Sequence, residues 1–219
     1  MYRKVPLAVE NIYHVFTRSI AKFNVFRDDN DYARMRYALF FYTAETVPFK
    51  LSNFMDLSSE RKGTIISNIK DSSKRVRLLA YCLMPTHLHL VLQQLKENGI
   101  SKYINLVLKS YSKYFNVKYN RLGPLWEGRF KNVCVETDEQ FIHLTRYIHL
   151  NPVTAFFVDE ASKWTYSSHN EYVNMIPDSE KICNFSDCLN MGIKSYEAFV
   201  CDNISYQRKL GQIKHLLLD

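Results

Sequence analysis

The sequence has no Cys-x-x-Cys pair, and its five cysteines (Cys82, Cys134, Cys183, Cys188, Cys201) are scattered and odd in number. That pattern argues against a disulfide scaffold or a zinc ribbon and for free thiols. No N-terminal stretch combines a charged start, an apolar run and a small-residue cleavage site. No apolar run approaches the length of a membrane span. No glycine-rich turn joins a strand to a helix, so a dinucleotide-binding fold is unsupported. Internal repeats and low-complexity tracts are absent too. A soluble, cytoplasmic protein is expected, nucleoid-associated if bacterial, with no membrane partner. Acidic residues are in deficit, 22 against 29 lysines and arginines, which gives a net charge of +7. A polyanionic partner such as nucleic acid suits that balance.

What the chain does have is apolar content, 47% of 219 residues, enough to bury a core. "NIYHVFTRSI" (11–20), "VRLLAYCLM" (76–84), "HLHLVLQQ" (87–94) and "RFKNVCVET" (129–137) read as strands, the middle two as a hairpin broken at Pro85. "NDYARMRYALFFYTAE" (30–45) and "ISKYINLVLKSYSKYFNVKYN" (100–120) carry apolar residues three to four apart and read as helices. "DEQFIHLTRYIHLN" (138–151) opens with acids, which suit a helix N-terminus, and is expected to stop at Asn151-Pro152. Residues 61–74 are polar and read as a loop with room for a short helix. The stretch from about 176 reads as an appendage, helical at "EAFV" (197–200) and "QRKLGQIKHLLL" (207–218). The order of elements implies an α+β domain, an antiparallel sheet covered by two or three helices.

Three stretches could carry chemistry. Side chains alternate along a strand, so His87 and His89 share one face while Leu88, Leu90 and Leu92 take the other. Two imidazoles at that spacing can share a cation; the same spacing also suits two histidines on the wet face of a sheet. On the helix 138–151, His143, Tyr147 and Asn151 fall four apart in one stripe beside the apolar stripe of Phe141, Leu144 and Ile148. Asn151 offers a carbonyl oxygen to a hard cation, or simply ends the helix. From Lys102 to Lys131 the chain holds seven basic residues and a single acid, Glu127, interleaved with aromatics. Lys109, Lys113, Lys118, Arg121, Arg129 and Lys131 could meet phosphates, and Trp126 could stack on an unpaired base.

Taken together, "YHVFTRSIAKFNVFRDDNDY" (13–32), "AYCLMPTHLHLVL" (80–92), "YFNVKYNRLGPLWEGRFKNVCVE" (114–136), "TRYIHLNPVTAFFV" (145–158) and "WTYSSHNEY" (164–172) resemble the single-tyrosine HUH transposases, closest to their REP-associated branch. The resemblance spans roughly residues 11–175 and implies a ferredoxin-like domain over residues 1–175, with 176–219 as the appendage. It implies that His87 and His89 are metal ligands on a central strand, Asn151 the third ligand and Tyr147 the nucleophile. Its cofactor would be Mg²⁺ or Mn²⁺. For His143 it implies no more than an accessory role. The implied reaction cleaves and rejoins single-stranded or hairpin DNA through a covalent 5′-phosphotyrosine. Two alternatives stay open: a replication-initiator or relaxase type of HUH nickase, and a hairpin-binding protein that does not cleave. Relatives act alone or in pairs, so a homodimer is also open.

Overall fold

The structure is a computed structural model that describes residues 7–189, 191–202 and 204. Burial alternates along Ile12–Arg18 (β1): Tyr13, Val15 and Thr17 are buried, while Ile12, His14 and Phe16 are partly covered on the other side. Val76–Met84 (β2) and His87–Gln94 (β3) form the expected hairpin across a two-residue turn, with Met84 opposite His87. Lys131–Val135 (β4) completes a four-stranded sheet of order β2-β3-β1-β4, antiparallel throughout.

Seven helices accompany the strands among the described residues: Asp29–Phe41 (α1), Leu51–Met55 (α2), Ser59–Asp71 (α3), Gly99–Lys118 (α4), Asp138–Thr154 (α5), His169–Tyr172 (α6) and Ile193–Cys201 (α7). The central order β1-α1-β2-β3-α4-β4 is the ferredoxin-like α+β arrangement, with α2 and α3 inserted between α1 and β2. Among the described residues no helix is long and apolar enough to cross a membrane.

Both faces of the sheet are covered. On one, Val15, Leu83, Leu88, Leu90 and Leu92 pack with Met35 and Leu39 of α1 and Ile104, Val107 and Tyr111 of α4. On the other, Cys82, Met84 and Val91 pack with Phe141, Ile148, Leu150 and Val153 of α5 and with Tyr196 and Val200 of α7. Residues 87 and 89 project to this second face, so the wet-sheet alternative does not apply to them.

Two readings of local structure are corrected. Residues 61–74, expected as a loop with room for a short helix, lie largely in α3, whose N-terminus is capped by the Ser58 hydroxyl accepting from Arg61 N–H. Only Ile69 of this helix is buried, so its apolar stripe is too thin to show as a period. Helix α5 does not stop at Asn151-Pro152 but runs to Thr154. Proline removes only its own N–H from the ladder. The last turn is held by Ala155 N–H to Asn151 O and Phe157 N–H to Pro152 O, and Pro152 and Val153 are buried. The helix predicted at "EAFV" is α7; the one at "QRKLGQIKHLLL" lies outside the described residues.

Residues after 160 tie α5 to the sheet. Leu83 N–H donates to Tyr166 O and Ser168 N–H to Tyr81 O, which closes the free edge of β2. His149, fully buried on α5, bonds Tyr196 Oη through Nδ1 (2.7 Å) and Ser168 Oγ through Nε2 (2.8 Å). Ser168 Oγ also accepts from Tyr81 N–H at 2.9 Å. One hydroxyl thus joins helix, strand and C-terminal segment.

Ser168→Ala strips partners from two buried groups and should cost about 2 kcal/mol. Thermal unfolding should show the midpoint falling by roughly 4–8 °C; an unchanged midpoint would contradict the latch. Burial also holds His149 and His169 below the ordinary histidine pKa. The unfolded chain binds those protons near pH 6.5, the folded one only at lower pH. Their contribution is therefore complete above about pH 6.5 and declines as the pH drops below it. Urea midpoints recorded from pH 7.5 to 5 should fall, and fall less steeply in His169→Gln.

Candidate active site

β1 and β3 lie side by side with Phe16 opposite His89 and Arg18 opposite His87. Cross-strand partners share a face, so His14, Phe16 and Arg18 join the two histidines on the side covered by α5. His14 Nε2 and His89 Nδ1 share a hydrogen bond at 2.9 Å. The rings of His14 and His89 stack with centroids 5.2 Å apart, and Phe16 stacks on His89 at 5.9 Å. The His87 and His89 rings meet edge to face at 5.1 Å, and His87 Nδ1 pairs with Thr86 Oγ1 at 3.0 Å.

The site holds its imidazoles neutral. Burial lowers His14 and His87 to about 4, helped at His87 by the Arg18 guanidinium. His89, 8% exposed, lies well below the usual value through burial and then through its histidine and arginine neighbours. A neutral imidazole keeps one lone pair for a ligand.

Tyr147 stands over this pair. Its ring meets His89 edge-on at 5.9 Å and His14 at 6.4 Å, yet 40% of the residue stays exposed. Helix α5 achieves this because Ile148 and Leu150 are buried on either side of the stripe and His149 is latched below. The structure therefore places Tyr147 against His89, with His87 on the far side of a ring contact to His89. Asn151 follows one turn later, half-buried, with an Nδ2 that has no partner. His143, one turn earlier, is turned toward α7: it bonds Arg146 at 2.8 Å and its ring meets Phe199.

The residues suit a cation bound by neutral donors. Both histidines have Nδ1 engaged by a neighbour; Asn151 Nδ2 has no partner, and the atom its amide could give a cation is the carbonyl oxygen Oδ1. Among the described residues, no three His, Cys, Asp or Glu side chains are arranged to hold a metal. An ion here would draw on two imidazoles and an amide, a set more open to exchange than three anionic ligands.

Three residues of the basic span are engaged in the fold. Trp126 is buried beside Tyr111 and presents no free stacking face. Lys118 pairs with Asp28 (2.7 Å) and with fully buried Asp31 (2.8 Å). Arg121 donates to Asn116 Oδ1 and to the carbonyls of Gly123 and Pro124, just past the end of α4. Lys109, Lys113, Arg129 and Lys131 are exposed. Lys109 and Lys113 rise from α4, on the leucine face; Lys131 is paired opposite Phe16, on the histidine face. The sequence reading missed His14, Phe16 and Arg18 as members of the site, although "YHVFTR" shows the same alternation as "HLHLVL".

The chain is similar to known transposases in sequence and in fold. Residues 50–151, which include His87, His89, Tyr147 and Asn151, match the family model described as IS200-like transposase. A Haemophilus influenzae protein (strain ATCC 51907 / DSM 11121 / KW20 / Rd) assigned as a REP-associated tyrosine transposase is 31% identical over 107 residues. That match covers 43% of this chain and 60% of the relative, less than two thirds of its length. A solved REP-associated tyrosine transposase bound to a REP hairpin superposes with a TM-score of 0.51 at 16% identity. It spans 88% of this chain and 98% of that one, and the likeness is one of fold.

The ion pairs separate two kinds of lysine. Lys118→Ala leaves the Asp31 carboxylate buried without its cation and should cost about 1–2 kcal/mol, the pair being partly open to solvent. Lys113→Ala should stay within about 0.5 kcal/mol. Urea denaturation of the two variants measures the contrast, and equal midpoints would refute it.

Proposed function

We propose that the chain is a transposase of the IS200-like kind, whose family model residues 50–151 match, and that it cleaves and rejoins single-stranded or hairpin DNA through a covalent 5′-phosphotyrosine at Tyr147. The observation that carries this reading is the pose of Tyr147, an exposed phenol standing edge-on over buried His89 and its partly covered neighbour His14.

In the proposed step, Tyr147 Oη attacks the scissile phosphorus and the bond from phosphorus to O3′ breaks. The phenolic proton ends on the departing 3′-OH, and the 5′ side stays on the tyrosine as a phosphodiester. Bond count and charge are conserved, so a different 3′-OH can reverse the step and join a new strand without ATP. Tyr147 has to be accessible to an unpaired strand, and its exposure provides that access. Arg18, largely open to solvent beside His87, and Lys131, opposite Phe16, offer cations to the backbone on the same face. Lys109 and Lys113 lie on the opposite face and could reach only DNA that extends around the domain. The metal would be Mg²⁺ or Mn²⁺ held by His87, His89 and Asn151, and when bound it supplies positive charge against the phosphate's non-bridging oxygens.

The test is a labelled DNA hairpin with flanking single strand, incubated with Mn²⁺ and resolved on a denaturing gel. Wild-type protein should give a covalent band and Tyr147→Phe none, while hairpin affinity in a native gel changes by less than about threefold. His87→Ala should lower adduct formation by more than about 100-fold. A hairpin shift with no covalent product from the wild-type protein would leave a binding module in place of the enzyme.

A further inference from the structure

The hydrogen bond between His14 and His89 contains a choice that matters to any ligand of His89. The two nitrogens, His14 Nε2 and His89 Nδ1, are 2.9 Å apart, a hydrogen bond in which one ring donates and the other accepts, so a single proton lies between them. If that proton belongs to His14, His89 must carry its own proton on Nε2, and Nε2 becomes a donor that no cation can use. If it belongs to His89 Nδ1, then Nε2 of His89 presents a bare lone pair.

We propose that His14 is a positioning residue that accepts the Nδ1 proton of His89 and so fixes the tautomer of His89 with Nε2 free to bind a cation. Three observations support this direction. First, the contact is built into the sheet: His14 packs on Phe16 at 4.9 Å, Phe16 stacks on His89, and the two strands are in continuous register. Second, the His89 ring has a hydrogen-bonding neighbour among the described residues at Nδ1, in His14, and none at Nε2. A proton on Nδ1 is therefore satisfied within the protein, whereas one on Nε2 would have no protein acceptor. Third, the described residues hold no set of three His, Cys, Asp or Glu side chains fit to bind a metal, so His14 is placed to orient a ligand and not to be one. This matches a general property of metal-binding histidines, whose second ring nitrogen is held by a neighbour that sets the tautomer. His87 has its own such neighbour in Thr86, but a hydroxyl accepts or donates with equal ease and leaves its tautomer open. His14 also lies outside residues 50–151, so the matched segment alone would lack it.

The tautomer assignment stands on the histidine geometry, and its consequence for metal binding rests on the function proposed above. The test separates the two. Nitrogen-15 spectra of the full-length, metal-free protein at pH 7.5 should show His89 protonated at Nδ1 in wild type and in His14→Gln, whose amide oxygen can still accept. In His14→Phe the proton should move wholly or partly to Nε2. Titration of the same proteins with Mn²⁺ alone, followed by calorimetry, should show affinity reduced 10- to 100-fold in His14→Phe and by less than about threefold in His14→Gln. Wild-type protein with His89 protonated at Nε2 would overturn the proposal, as would a His14→Phe spectrum identical to wild type. Wild-type protein that shows the Nδ1 tautomer but binds no Mn²⁺ would support the role of His14 and overturn the metal site instead.

Discussion

Helix α5 lies against the sheet through Ile148, Leu150 and Val153, which pack with Cys82, Met84 and Val91, and the placement of Tyr147 depends on that contact. A sheet with one wet face would leave His87 and His89 hydrated and ready to protonate. Here the second face is roofed, so the imidazoles are desolvated and their proton-free forms are favoured at neutral pH. The same roof aims the phenol at the rings. His149 secures it from within by joining α5 to Ser168 and Tyr196, so residues near the C-terminus contribute to the geometry of a site they do not line. Tyr196 and Val200 are fully buried in this core.

Much of this was legible in the sequence because it follows from two periods. Alternation in "HLHLVL" put the histidines on one face, and the four-residue spacing in α5 put Tyr147 and Asn151 on one stripe. The strand order that brings them together is not a local property; it came from the family resemblance. What stayed hidden has identifiable reasons. Helix α3 buries only Ile69, so there was little period to find. Pro152 reads as a stop, yet a proline so near the end of a helix costs one hydrogen bond, and the burial of Pro152 and Val153 offsets it. Trp126 sits in a loop rich in turn residues, where an exposed ring was a fair expectation. Its actual burial against Tyr111 depends on the bridge that pairs it with Ser19, more than one hundred residues away in sequence. His14 does not stand out within "YHVFTR", because a lone histidine on a strand has no partner until the neighbouring strand is known.

Charge illustrates the same limit. Seven basic residues between 102 and 131 look like one surface in the sequence, but the fold distributes them. Lys118 neutralises Asp28 and Asp31, Arg121 finishes α4, and Lys109 and Lys113 face away from the histidines. The cations that do share the histidine face, Arg18 and Lys131, come from two strands that flank one another in space and are 113 residues apart in the chain. A net positive charge therefore describes the whole molecule better than it describes the site.

Only Glu136 and Thr137 separate the end of β4 from the start of α5. Thr137 caps the helix by accepting from Gln140 N–H, and Glu136 N–H donates to the Gln140 side chain. A connection that short and that firmly bonded has no slack. The phenol is thus delivered to the imidazoles by its own polypeptide, at an effective concentration set by covalent geometry and not by the abundance of the protein. In this structure both halves of the constellation come from one polypeptide chain.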